Sequence, residues 1–448
     1  MPRNRSKPRP KPRRGSALVE RIVLETFARV RSRQTYFGRA LTEAFERALR
    51  LQQETRERIA AALFGLIQEK RKIELALSGQ SVPKNDFDRA LLLAFRLLSG
   101  ETSSAEAQRS LPGVNWSAVK RVDERIASEE NPVRRLALAH SLPDFLAALL
   151  IEEYGNEAEP LAAALRARAP IVLRANTLKT SRDALIARLK DEIGPPDARL
   201  EPTAISPLGV RIDGRPNVFA LRSFHEGLFE VQDEASQLIG LLVAPPPRSL
   251  VIDACAGAGG KTLGLGALLG NQGRLVALDP DTKRLDDLRR RARRAGLSNV
   301  RAVTIGESSA EWPPEVAALE GKAARVLVDA PCSGLGALRR KPDQKWRLAP
   351  EDLERLPRTQ DEIARRAMGL VAPGGRFIYA TCTILAAENE RVVERLLDGS
   401  GFALVAAKEV FGRGILGASS DSTGRFLKLL PHRTGTDGFF GAVLRRGR

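Results

Sequence analysis

"SLVIDACAGAGGKT", residues 249–262, runs from an uninterrupted apolar stretch straight into a glycine-rich turn that ends on lysine and threonine. An apolar run without alternation reads as a strand buried on both faces, and the turn hands the chain to a helix whose free N–H groups face a ligand. Two nucleotide-binding patterns fail on it. G-x-x-x-x-G-K-[ST] needs a glycine where Cys255 stands, and G-x-G-x-x-G is broken because Gly257, Gly259 and Gly260 are spaced as G-x-G-G. What remains is the general form of a loop for a nucleoside cofactor, helped by "LVALDP": there Asp279 ends the next apolar run, nineteen residues past Gly260, and offers a carboxylate to ribose hydroxyls. A tight turn and a strand-end helix cap would account for the same residues with no ligand.

Working outward, "RLVALD", "NVRAVTI", "ARVLVDA", "GRFIYAT" and "GFFGAVLRR" repeat the apolar run, separated by helical segments that include a long one from Glu351 to Val371. This alternation predicts an α/β domain over residues 245–448, opening after a triple proline, with a mostly parallel sheet covered on both faces. Residues 139–244 read as a linker helix and a small α/β subdomain. Residues 16–138 show apolar positions at three- and four-residue spacing with little β-branched clustering, which predicts a small all-α domain. Within it, residues 99–115 read as a loop-like break. Residues 1–15 form a proline-interrupted basic arm, expected to be disordered. No internal repeat is present.

The 448 residues are 43% hydrophobic and 28% charged, ordinary for a folded chain, and 72 Lys and Arg against 54 Asp and Glu give a formal net charge of +18. A polyanion is the expected partner. No apolar h-region follows the basic N-terminus, so the expectation is a cytoplasmic protein with no membrane partner. Three cysteines exclude a disulfide framework, and with three histidines no metal site is expected.

"LVDAPCSGLG" ends the fourth run and "FIYATCT" the fifth. Strands four and five of such sheets are neighbours, so Asp329, Cys332 and Cys382 are expected to converge. A sulfur nucleophile acts as its thiolate and wants positive surroundings, which Lys261 would supply. Cys255 by itself reads as a small buried hydrophobe. Between the two motifs, "LRRKPDQKW" gathers Arg339, Arg340, Lys341, Lys345 and Trp346, basic groups with an aromatic that suit an RNA backbone and a splayed base. The segment 283–296 carries seven basic residues against two acidic ones, a pattern a solvated helix face explains nearly as well.

In this order, "DACAGAGGKT", "DAPCSGLGALRRKPDQKW", "YATCTILAAENE" and "GTDGFF" resemble the motifs of the Sun (Fmu/RsmB) family of S-adenosylmethionine-dependent RNA cytosine-5 methyltransferases. The resemblance spans Ala139 to the C-terminus. It implies a Rossmann-like sheet with an antiparallel last strand, and the helical region before it resembles the NusB-like RNA-binding domain of the small-subunit ribosomal RNA branch. It implies that Cys382 is the nucleophile at carbon 6 of a cytosine, that Cys332 assists product release, that Asp329 bonds ring nitrogen 3 and that Lys261 helps hold the base. The cofactor contacts it implies are Cys255, Ala256, Gly257, Ala258, Gly259, Gly260, Lys261, Asp279, Glu307 and Asp329. Two positions depart from the family: Ala258 replaces a proline, and Gly306-Glu307 replaces Gly-Asp. The substrate would be RNA, by family and domain order small-subunit ribosomal RNA, and the enzyme a monomer. Two other functions stay open. A DNA cytosine-5 methyltransferase would use the proline-cysteine thiol as nucleophile and lack the threonine-cysteine motif, which is present here. A non-catalytic RNA-binding assembly factor would have no need of Asp329, Cys332, Cys382 and Lys261.

Overall fold

The computed structural model describes residues 14–48, 51–194, 199–306, 311–411, 421 and 423–448, so the basic arm lies almost wholly outside the described residues. Contacts divide the chain into two units, one of residues 1–152 with 341–347, the other of 153–340 with 348–448.

The first unit is helical throughout its described residues. Its helices include Arg14–Arg31, Phe37–Arg47, Gln53–Gln68, Lys70–Leu77 and Phe87–Leu98, which close on a core containing Val23, Phe27, Leu63, Leu66, Leu92 and Trp116. The segment read as a loop-like break holds a short helix, Ser104–Ser110. Ser103 and Glu106 form a reciprocal capping box there, each side chain bonding the other's backbone N–H. Residues 341–347, far along the chain, belong to this unit. Lys345 is buried and donates its ammonium to Gln68 O at 2.9 Å and Oε1 at 3.0 Å, Trp346 Nε1 donates to Ile67 O at 2.8 Å, and Asp343 accepts from Phe37 N at 3.0 Å.

Among its described residues the second unit contains two sheets. Strands β1 (Ile171–Ala175), β2 (Arg199–Pro202), β3 (Gly209–Asp213) and β4 (Phe229–Val231) form an antiparallel sheet in the order β2-β3-β1-β4. Helix Arg182–Ile193 packs on it through Leu185 and Leu189. The larger sheet is built from β5 (Leu250–Asp253), β6 (Arg274–Asp279), β7 (Val300–Thr304), β8 (Ala323–Asp329), β9 (Val371–Thr381), β10 (Phe402–Val405), β11 (Leu427–Leu429) and β12 (Phe439–Arg446). Its order is β10-β12-β9-β8-β5-β6-β7, with β11 beside β12. Strands β5 to β9 pair in parallel and β12 runs antiparallel to β9, which is the Rossmann-like methyltransferase arrangement.

Side-chain alternation along each strand feeds two cores. Val251, Leu327 and Ile378 face Leu238, Leu242 and Leu265, whereas Ile252, Val326 and Phe377 face Ala364, Met368, Val392 and Leu396. Both faces are therefore dry, as continuous apolar runs require. Helix Glu234–Val243, read from sequence as part of the small subdomain, packs into the core of the large sheet. Among the described residues no helix is long and apolar enough to cross a membrane.

Candidate active site

The chain winds outward from β5 through β6 to β7, then crosses to β8 and winds the other way through β9. The loops after β5 and β8 therefore flank the point where strand order reverses, which is where open α/β sheets bind their ligands.

The turn after β5 is pinned from several sides. Gly259 takes φ +87, and a Cβ there would lie 2.7 Å from Leu288 Cγ, so a side chain at this position would be strained and crowded. Arg291 Nη1 donates to Ala258 O at 2.6 Å and Arg174 Nη1 donates to Gly260 O at 2.8 Å. The alanine that replaces the family's proline is thus held by a guanidinium on its carbonyl. Asp279, buried at the end of β6, accepts the N–H of Gly257 at 2.8 Å with one oxygen and that of Asp281 at 2.9 Å with the other. A carboxylate offers about four acceptor sites, so two remain for ribose hydroxyls. A Cβ on Gly257 would meet nothing within 4 Å, so the loop faces open space, and helix Gly260–Leu268 begins there. These residues fit a nucleoside cofactor. Ala256 is buried as a core residue and Cys255 packs against the apolar core, where burial pushes its thiol up. Glu307 lies outside the described residues.

Beyond β8 and β9 the expected groups come together. The Sγ atoms of Cys332 and Cys382 are 3.3 Å apart, and Lys261 Nζ lies 2.5 Å from Asp329 Oδ2. The hydrogen bond with Cys382, then burial, push the Cys332 thiol well above its ordinary range. Either sulfur can donate in this contact, so the two thiols are placed to share one proton. Behind the pair runs a buried polar network. Ser333 Oγ meets Thr383 Oγ1 at 2.7 Å, Glu388 accepts from Ser333 N at 2.9 Å and from Gln360 Nε2 at 2.8 Å, and Asn389 Nδ2 donates to Thr383 O at 3.2 Å. It ties the proline-cysteine loop to the threonine-cysteine loop.

Two groups escaped the sequence reading. Phe439 places its ring 5.0 Å from Lys261 Nζ, brought there by the close packing of Gly438 on Gly336, whose carbonyl accepts the Gly438 N–H at 2.9 Å. Asp253, fully buried, accepts from Thr262 Oγ1 at 2.7 Å, and burial pushes its carboxyl up to about 6. The glycine pair in "GTDGFF" and "CSGLG" was the available signal for the first; nothing local marked the second.

The expected RNA contacts between the motifs are mostly internal. Arg339 Nη1 donates to Gly435 O at 2.6 Å and Thr436 O at 2.9 Å. Arg340 bridges Asp437 at 2.6 Å and Asp233 at 2.7 Å. Lys345 and Trp346 serve the helical unit as described above, and Lys341 alone of the five is exposed. The other four thus have internal carboxylate and carbonyl partners. On helix Thr282–Ala295, Arg284, Arg289 and Arg290 pair with Asp281, Asp286 and Asp287, while Arg291 and Arg294 hold buried Glu230.

Comparison with known proteins follows this geometry. Residues 240–445 match the family described as 16S rRNA methyltransferase RsmB/F, and residues 142–219 match its ferredoxin-like domain. The chain is 34% identical over 315 residues to the probable ribosomal RNA small subunit methyltransferase B of Synechocystis, covering 68% of this chain and 67% of that one. It is 32% identical over 320 residues to the Bacillus subtilis protein of the same name, covering 71% and 69%. A methyltransferase homolog protein from Pyrococcus horikoshii superposes with a TM-score of 0.59 at 25% identity, over 71% of this chain and all of that one. The methyl donor of these enzymes is S-adenosylmethionine, which the loop after β5 and Asp279 suit. The chain belongs to the RsmB/F family of 16S rRNA methyltransferases.

Proposed function

We propose that the protein methylates carbon 5 of a cytosine in small-subunit ribosomal RNA through a covalent adduct with Cys382. The observation that carries this reading is the sulfur pair at 3.3 Å beside the Lys261–Asp329 ion pair, at the carboxyl ends of adjacent strands. Bound at Cys255 to Lys261 and Asp279, S-adenosylmethionine supplies the electrophilic methyl group that carbon 5 accepts. The protein's own groups do the rest. A cytosine stacked in a helix cannot present carbon 6 to a thiolate, so the base is single-stranded or flipped out, at a few kcal/mol. Cys382 forms the sulfur–carbon 6 bond, and the carbon 5–carbon 6 π pair moves onto carbon 5. Ring nitrogen 3 grows more basic and takes a proton through Asp329, which Lys261 replenishes. For release, the carbon 5 proton passes to water, nitrogen 3 returns its proton, the double bond re-forms and the sulfur–carbon bond breaks. Cys332 holds its S–H against the departing Cys382 sulfur and stabilises the thiolate by that hydrogen bond, keeping its own proton for the next turnover.

The helical unit is read as a NusB-like domain that adds affinity for RNA, with the enzyme acting as a cytoplasmic monomer. Mass spectrometry of nucleosides from small-subunit RNA treated with the protein and S-adenosylmethionine tests the reaction. 5-Methylcytidine supports the reading; methylation only on the exocyclic nitrogen would overturn it, because that product needs no carbon 6 adduct.

A further inference from the structure

One buried carboxylate remains without a task. Glu388, six residues after Cys382, is 0% exposed. Its Oε2 accepts from Ser333 N and Gln360 Nε2, its Oε1 has no hydrogen-bond partner, and among the described residues no Lys or Arg pairs with it. Ser333 follows Cys332 directly, so this carboxylate lies against the peptide that carries the thiol.

The groups that act on Cys332 are Cys382 just beyond β9, Asp329 at the end of β8, Tyr379 on β9, and Glu388. The charge of Asp329 is compensated by Lys261, and burial keeps Tyr379 a neutral phenol. Glu388 is the anion in this set with no cation beside it. Hydrogen bonds from N–H groups favour the charged form of a carboxylate, and in a low-dielectric site an unneutralised anion disfavours a second one nearby.

We propose that Glu388 is a positioning residue that holds Cys332 as a thiol, so that Cys332 donates its S–H to the Cys382 sulfur. The inference rests on the reading of Cys382 as nucleophile and Cys332 as the releasing group. On that reading it sets the two neighbouring thiols in the unlike protonation states that the release step uses. Without the charge both sulfurs compete for one proton, and the departing thiolate loses its donor.

The test uses the full chain without RNA or cofactor. In a Cys255→Ala, Cys382→Ser background Cys332 is the sole thiol, and its alkylation by iodoacetamide is followed against pH. Glu388→Gln should move the titration down, with alkylation at pH 7.5 about tenfold faster, since one pKa unit is a tenfold change in thiolate. Thr383→Val breaks the Ser333 contact and keeps the charge, so its profile should match the parent. Glu388→Asp keeps the charge and should stay within about threefold of the parent, which preserves the test if the glutamine variant fails to fold. An unchanged profile in Glu388→Gln would overturn the proposal, as would a tenfold acceleration in Thr383→Val or Glu388→Asp, which would assign the effect to loop geometry. A wrong assignment of the nucleophile would leave this titration untouched, and an unchanged titration would leave the assignment of Cys382 standing.

Discussion

The ammonium of Lys261 sits 2.5 Å from the Asp329 carboxylate, with the lysine side chain 8% exposed and the aspartate side chain 31% exposed. The pair joins the helix after β5 to the end of β8. Lys261→Met should lower kcat by about 10²-fold, the usual cost of removing one preorganised electrostatic group. Cofactor affinity, measured by calorimetry, should change far less. A kcat within twofold of wild type would remove the ion pair from the mechanism.

Gly336 and Gly438 leave no room for a methyl group. A Cβ on Gly336 would lie 2.1 Å from Gly438 O and 2.8 Å from Cys382 O, both backbone atoms of the loops that carry Phe439 and Cys382. Gly336→Ala should destabilise the fold by about 1–3 kcal/mol, as overpacking does, and should reduce kcat by displacing Cys382. Thermal denaturation and single-turnover rates check both parts.

The basic residues between the motifs separate structure from RNA binding. Arg340→Met strips the cation from two buried carboxylates, Asp233 and Asp437, and should cost about 3–5 kcal/mol. Trp346→Ala removes a packed indole and its bond to Ile67 O, with a cost of about 3 kcal/mol by analogy with other buried aromatics. Lys341→Ala should leave stability unchanged and reduce the salt dependence of RNA binding by about one counterion if Lys341 meets a phosphate. Chemical denaturation and binding titrations at several salt concentrations distinguish these outcomes.

These reversals show what the sequence carried. The mostly parallel sheet, the glycine-rich turn after β5 and the convergence of Cys332 and Cys382 were legible because each rests on a local motif at a strand or its end. The fates of Arg339, Arg340, Lys345 and Trp346 were not, because their partners lie 96 or more residues away in the chain. Helix Ser104–Ser110 was legible in principle: Ser103 and Glu106 spell a capping box inside a stretch otherwise read as a break. The helical unit extends to residue 152 rather than 138, and it gathers in residues 341–347, a long-range contact that no local pattern encodes.

Asp253 gives a prediction in pH. Its folded pKa, about 6, stands above the ordinary carboxylate value because burial penalises the charge. A raised carboxyl contributes stability below the unfolded pKa of about 3.9 and loses it as pH rises through 6. Wild type should therefore lose about 2 kcal/mol relative to Asp253→Asn between pH 4 and pH 7. Urea denaturation of both proteins across that range measures the difference; parallel curves would contradict the assignment.

The central claim is the division of labour between the two thiols, and one gel tests it. Wild type, Cys332→Ala and Cys382→Ala are incubated with S-adenosylmethionine and small-subunit RNA, and protein covalently attached to RNA is resolved under denaturing conditions. The account predicts that Cys332→Ala accumulates the adduct and that Cys382→Ala forms none while still binding the cofactor. Adduct accumulating in Cys382→Ala would make Cys332 the nucleophile and contradict the account.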